Sequence, residues 1–111
     1  MSMYIVKPLS NFSKEAKVLN KRYPSFIGDL KDLVKILERN FEPQGAINLG
    51  SSIYKIRLAI SSKGKGKSGG ARVCYYFKSK DNCIYLLSIF DKSETENIRI
   101  DILKKLIQEE V

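Results

Sequence analysis

The chain has 111 residues, 43% apolar and 29% charged, with two cysteines, no histidine and a net charge of +8. No apolar run approaches the roughly eighteen residues of a membrane span, and the opening MSMYIVKPL lacks the long apolar core of a secretion signal. Two cysteines are too few for a disulfide framework, so the expectation is one domain over residues 1–111, cytoplasmic, with reduced thiols and no membrane partner.

Met3–Leu9 reads as a short strand stopped by Pro8. Phe12, Ala16, Leu19 and Tyr23 then recur on one face of a helix, with Ser10, Asn11 and Ser13 as N-cap candidates and Pro24 closing it. Phe26, Leu30, Leu33, Val34, Leu37 and Phe41 share one face of a second helix, ended by Pro43 and Gly45. Two amphipathic helices joined through one proline predict an antiparallel helical hairpin.

From Ala46 the apolar period falls from 3.6 to about 2. Ala46–Leu49 is a candidate short strand, and Gly50–Ser51–Ser52 a turn. In Tyr54–Leu58 apolar and basic residues alternate, which places Lys55 and Arg57 on one face and Tyr54, Ile56 and Leu58 on the other. The loop Ser61–Gly70, SSKGKGKSGG, carries three lysines and four glycines and is expected to be irregular and mobile. Arg72–Lys78 and Cys83–Phe90 are rich in β-branched and aromatic residues, and Lys80–Asp81–Asn82 joins them as a hairpin. That turn sets Cys74 opposite about Leu87, so the two cysteines are not expected to pair. Ser93 and Glu96 have the spacing of a capping box opening a last helix, with Ile98, Ile102, Leu103, Leu106 and Ile107 as its apolar face. The predicted order is β–α–α–β–β–β–α: an α+β fold in which a helical hairpin packs on a small antiparallel sheet with a C-terminal helix.

The charge is one-sided. Between Pro43 and Lys80 there are eight basic residues and no acidic one, whereas the rest of the chain has twelve of each sign. A field of one sign over one third of the sequence favours a polyanionic partner. The absence of histidine removes the usual general base and metal ligand. The two cysteines lack zinc spacing and the acids are scattered, so no metal and no cofactor are expected. Gly64–Ser68 has the flavour of a phosphate-binding loop, but the required first glycine falls at Ser61 and a strand follows, which argues against a nucleoside triphosphatase. What remains is a cluster of cations on neighbouring strands: Lys55, Arg57, Arg72 and Lys92. Such residues also make a solvated strand edge that resists aggregation, and composition alone does not separate that reading from a phosphate site.

The segment Tyr54-Lys55-Ile56-Arg57-Leu58-Ala59, the loop Lys63-Gly64-Lys65-Gly66-Lys67-Ser68-Gly69-Gly70-Ala71-Arg72-Val73 and Tyr75-Tyr76 closely resemble the RelE/HigB toxins of type II toxin–antitoxin systems. So do Ile84-Tyr85-Leu86-Leu87, Asp91-Lys92-Ser93-Glu94 and Glu96-Asn97-Ile98. The lysine–glycine loop is the most specific piece and points to the HigB-like branch of this RelE/ParE superfamily. The resemblance implies a RelE-like fold and an mRNA interferase: a toxin that enters the A site of the 30S subunit, beside 16S rRNA, and cleaves mRNA there. It implies a cognate antitoxin, and a metal-independent reaction in which the RNA 2′-hydroxyl attacks the adjacent phosphate.

By position, Lys55 corresponds to a general base or 2′-hydroxyl activator, Arg57 to a phosphate contact, Arg72 to the arginine that stabilises the transition state, and Lys92 to a group that assists the leaving oxygen. Lys63, Lys65 and Lys67 are expected to bind RNA. RelE has a substrate-stacking tyrosine in the last helix where Ile98 stands here, so stacking would fall to Tyr75 or Tyr76. Aromatic residues that alternate along strands are also ordinary sheet packing. Two alternatives remain beside the interferase: a ParE-like toxin that inhibits DNA gyrase, and a non-catalytic RNA-binding domain.

Overall fold

The computed structural model describes residues 2–64, 69–95 and 97–111. Strand β1 (Ile5–Pro8) is followed by helices α1 (Ser10–Arg22) and α2 (Phe26–Arg39). Strands β2 (Ile47–Gly50), β3 (Ile53–Leu58), β4 (Ala71–Lys78) and β5 (Cys83–Asp91) lead to the last helix, α3 (Ile100–Glu110). The five strands form one sheet in the order β1-β5-β4-β3-β2. The predicted α+β architecture and helical hairpin are present, and the candidate strand after Pro43 is real. The sheet is not wholly antiparallel, however: β1 runs parallel to β5, with Ile5 opposite Cys83 and Pro8 opposite Leu86. Edge strand β1 enters from the opposite end of the chain, so no tight turn dictates its direction.

Both faces of the sheet are covered, by different layers. Tyr54, Ile56 and Leu58 of β3, Ala71, Val73 and Tyr75 of β4, and Ile84, Leu86 and Ile89 of β5 form one core with Phe12 and Leu19 of α1 and Phe26, Leu33 and Leu37 of α2. Ile53, Cys74 and Leu87 lie in a second, smaller core with Leu9 and with Leu103 of α3, flanked by Tyr76, Tyr85, Phe90 and Ile98. Period-two alternation along three adjacent strands produces this division. It also settles the aromatic residues. Tyr75 is fully buried on the helical-hairpin side and donates its hydroxyl to the Phe41 carbonyl at 2.7 Å, so it is not available to stack on a base.

Four local expectations change. Register shifts between Cys74 and Tyr75, so Cys74 faces Ser88 while Tyr75 faces Leu86. Leu87 is the extra residue of a bulge on β5. Helix α1 satisfies that irregularity: Asn11 Nδ2 donates to the Leu87 carbonyl, and Ser88 Oγ and the Ile89 N–H both donate to Glu15 Oε1. A fully buried serine in an apolar strand thereby finds its partner. Both cysteines are buried and free.

Second, Ser93 does not open α3, which begins at Ile100 after Arg99. Ser93 instead donates its N–H and Oγ to Asp91, and Glu96 lies outside the described residues. In the helix as formed, Leu103 is buried and Ile102 is 45% exposed. Third, Ser10 makes no side-chain cap for its own helix; its N–H and Oγ both bind Glu110 Oε1 at the far end of α3. Ser61–Lys63, expected to be irregular, form a short 3-10 turn. The Ser61 N–H and Oγ donate to Asp29, and Ser62 bonds Ser25. Lys65 and Lys67 lie outside the described residues.

Gly70, just ahead of β4, is required for a steric reason. A Cβ there would lie 2.0 Å from the Leu58 carbonyl oxygen, a contact that no rotamer relieves. Gly28, in the exposed part of α2, has open space around it. Gly70→Ala should therefore lower the unfolding free energy by roughly 2–3 kcal/mol, whereas Gly28→Ala should raise it by about 0.5–1 kcal/mol. Urea-denaturation midpoints of the two variants check both signs.

Candidate nucleic-acid interface

The strand register brings the candidate cations together. Lys55 and Arg57 are two residues apart on β3, so both leave the sheet on the side away from the helical hairpin. Arg57 lies directly opposite Arg72 on β4, and Lys55 opposite Cys74. Arg72 in turn lies opposite Phe90 on β5. Lys92 follows two residues after Phe90, and its backbone N–H donates to the Gly70 carbonyl at 3.1 Å. Lys55, Arg57 and Arg72 thus lie along one stretch of the sheet, with Lys92 just past its end.

Their environments differ. Arg57 is exposed, and Lys55 and Lys92 are half-buried. Arg72 is only 6% exposed, and its Nη1 donates to the Ala71 carbonyl at 3.2 Å. A guanidinium buried this deeply has little rotamer freedom left to lose. Lys55 Nζ donates to Asn97 Oδ1 at 2.6 Å. Burial pushes the Cys74 thiol beside it up to about 12, against the opposing influence of Lys55, so the sulfur stays neutral. Tyr76 is half-buried and lies 6.4 Å from Tyr85 in a stacked arrangement on this same side. Of the two tyrosines considered for base stacking, only Tyr76 is on the cation side.

Lys63 has a different position from the one expected. Its side chain is 8% exposed and paired at 2.8 Å with Asp91, whose own side chain is 1% exposed. The ammonium also lies 5.2 Å from the Tyr23 ring. A lysine so enclosed cannot grip RNA without breaking a buried ion pair. Asp91, which carries part of the family resemblance but no expected role, is the centre of this cluster. It accepts from Tyr23 Oη at 2.5 Å, from Lys63 Nζ, from Arg22 Nη1 at 3.4 Å, and from the N–H and Oγ of Ser93. The signal was available: β5 alternation places Asp91 on the same face as Ile89, toward the helices, where an acid needs partners. Arg22 also binds Glu94. One carboxylate therefore fastens the end of α1, the 3-10 turn and the turn after β5.

A cavity of about 710 Å3 between α2 and β3 includes Arg57 with Asp29, Asp32 and Ser61, but none of the other three cations. Among the described residues no group of three or more His, Cys, Asp or Glu side chains is placed to hold a metal ion, and no helix is long and apolar enough to cross a membrane.

The sheet thus carries a helical hairpin on one side and strand-borne cations on the other. Residues 11–108 match the family model described as the RelE toxin of the RelE/RelB toxin–antitoxin system. The chain belongs to the RelE toxin family: it is a toxin of a toxin–antitoxin system, and its partner is an antitoxin. Among solved structures, an E. coli RelE double arginine-to-alanine mutant in the free state shares 16% identity at a TM-score of 0.61, covering 86% of this chain and 90% of that one. The isolated E. coli RelE toxin shares 18% identity at a TM-score of 0.58, covering 96% and 97%. At these identities the likeness speaks for the fold.

Burial alone would raise the Asp91 pKa, but the hydrogen bonds from Lys63, Tyr23 and Ser93 outweigh it and hold the carboxyl well below its ordinary range. A depressed carboxyl stabilises the fold above its unfolded value, about 4, and that contribution fades as pH falls from there toward the folded value. Asp91→Asn should cost about 3 kcal/mol at neutral pH, because Lys63 is left buried without its counter-ion. It should also flatten the fall in stability below about pH 4. Denaturation midpoints across pH 2–7 for both proteins check this.

Proposed function

We propose that the chain is a ribosome-dependent mRNA interferase, a single toxin domain acting in the cytoplasm on mRNA in the A site, of the HigB-like branch. The observation that carries this reading is the cross-strand pair Arg57–Arg72 with Lys55 one pleat along, in a toxin of the RelE family. Two or three fixed cations can bind a scissile phosphate and the charge that builds on it.

In this reaction the 2′-oxygen attacks the neighbouring phosphorus while the bond to the 5′-oxygen breaks. Lys55 orients the 2′-hydroxyl or takes its proton. Arg72, half of the guanidinium pair and rigidly held, stabilises the extra charge on the non-bridging oxygens. Arg57 holds the phosphate, and Lys92 gives a proton or a hydrogen bond to the departing 5′-oxygen. The products are a 2′,3′-cyclic phosphate and a free 5′-hydroxyl, so the balance needs no water and no metal. Positioning supplies much of the rate, because nucleophile and phosphate already belong to one molecule. Tyr76 is the remaining candidate for base stacking, and Lys65 and Lys67 for contacts with ribosomal RNA.

Induced expression should arrest growth with mRNA cut inside codons, and Arg72→Ala should reduce cleavage about a hundredfold or more. Supercoiling defects and DNA damage with intact mRNA would replace the proposal by gyrase inhibition. RNA binding without any cleavage would leave a non-catalytic RNA-binding domain.

The interface also predicts a pattern in salt dependence. Alanine at the exposed Arg57 should lower the slope of log affinity against log salt by roughly one. Alanine at Lys63 should leave that slope unchanged, since its charge is already spent on Asp91. Filter-binding titrations with ribosome–mRNA complexes at several salt concentrations distinguish the two outcomes.

A further inference from the structure

Lysine has a long, flexible stem, and at the cation face its ammonium is repelled by its neighbours. Lys55 shares β3 with Arg57, and Arg72 stands opposite Arg57 on the adjacent strand. Across β4 its own register partner is Cys74, a neutral thiol, and across β2 it is Ile47. Neither of these two register partners is a carboxylate. Left to these surroundings the side chain would spread over many rotamers and turn away from the arginines. The hydrogen bond to Asn97 Oδ1 opposes both tendencies, and at 2.6 Å it is a short, charge-assisted contact.

Asn97 is well placed to act as a fixed point although its side chain is exposed. The next residue, Ile98, packs into the second core beside Leu103 and Leu106 of α3. Upstream, the chain leaves β5 through the turn at Asp91, where the N–H groups of Glu94 and Thr95 donate to the Asp91 carbonyl and Ser93 to its carboxylate. The segment carrying Asn97 is therefore tied to the body of the protein on both sides.

We infer that Asn97 is a positioning residue for the reaction: its amide oxygen holds the Lys55 ammonium on the cation face, beside Arg57 and Arg72, where the 2′-hydroxyl must be met. The inference rests on the interferase reading and adds a residue to it. An amide suits the task better than a carboxylate would. It accepts a hydrogen bond without placing a negative charge where a phosphate must bind.

Single-turnover cleavage of mRNA on programmed ribosomes tests this, with the rate at saturation separated from the half-saturating toxin concentration. Asn97→Ala should lower the saturating rate about tenfold or more, with half-saturation within about threefold of wild type. In a Lys55→Ala background Asn97→Ala should add no further loss, because the residue it positions is gone. Asn97→Asp keeps the acceptor but adds a charge that favours the ammonium, so the pH–rate profile should move upward; a merely structural role would leave the profile in place. A saturating rate within twofold of wild type for Asn97→Ala, a full additional loss in the Lys55→Ala background, or an unmoved profile for Asn97→Asp would each overturn the assignment. The contact is also tested without activity: the Lys55 Nζ resonance of the free protein should shift and exchange faster in Asn97→Ala, and an unchanged resonance would sink it. Wild-type protein that leaves ribosome-bound mRNA whole would instead remove the interferase reading, and the resonance experiment would still decide the contact.

Discussion

Everything at the cation face depends on the register of β4. Its residues alternate between two cores, with Ala71, Val73 and Tyr75 toward the helical hairpin and Arg72, Cys74 and Tyr76 toward the other side. A slip of one residue would carry Arg72 into an apolar layer and bring Val73 to the surface. The register is secured from both neighbours: six consecutive partners on β3, and the bulge at Leu87 on β5 that α1 fastens through Asn11 and Glu15. The same pairing that buries apolar surface sets Arg57 and Arg72 opposite each other. Like charges facing across strands are ordinarily unfavourable, and under the proposed function this pair would meet the phosphate.

Asp91 plays the complementary part at the end of the sheet. A buried acid with one lysine, one arginine, a tyrosine and a serine around it joins three segments that are distant in sequence. Its placement on the helical side leaves the next residue, Lys92, at the end where Gly70 receives its N–H. The basic character of the chain is therefore partitioned. Lys63 and Arg22 serve the fold through Asp91, Lys78 pairs with Asp81, and the strand cations remain on the other side.

The second core is small, and α3 touches the sheet mainly through Leu103, with Leu106 and Ile107 alongside. That modest contact is nonetheless next to Lys55, through Asn97 and Ile98. A helix whose lead-in segment holds a cationic side chain in place links the packing of the C-terminus to the geometry of the face.

Much of this was legible in the residues. Helix faces in α1 and α2, alternation in β3 and the one-sided charge are local periodic signals, and each element followed its own signal. The cations Lys55, Arg57 and Arg72 were legible too, because strand position dictates side. What the sequence left open required knowledge of partners far along the chain. The parallel pairing of β1 depends on which edge is free. The bulge at Leu87 depends on a glutamate more than seventy residues earlier. The late start of α3 follows from Ser93 finding Asp91 rather than a helix to cap. Lys63 reads as one more loop cation until its buried partner is seen, and Asn97 as one more loop amide until Lys55 reaches it. Periodicity and charge reside in neighbouring residues and so belong to the sequence; the pairing of polar groups across the fold depends on which surfaces burial brings together, and that only the tertiary structure decided.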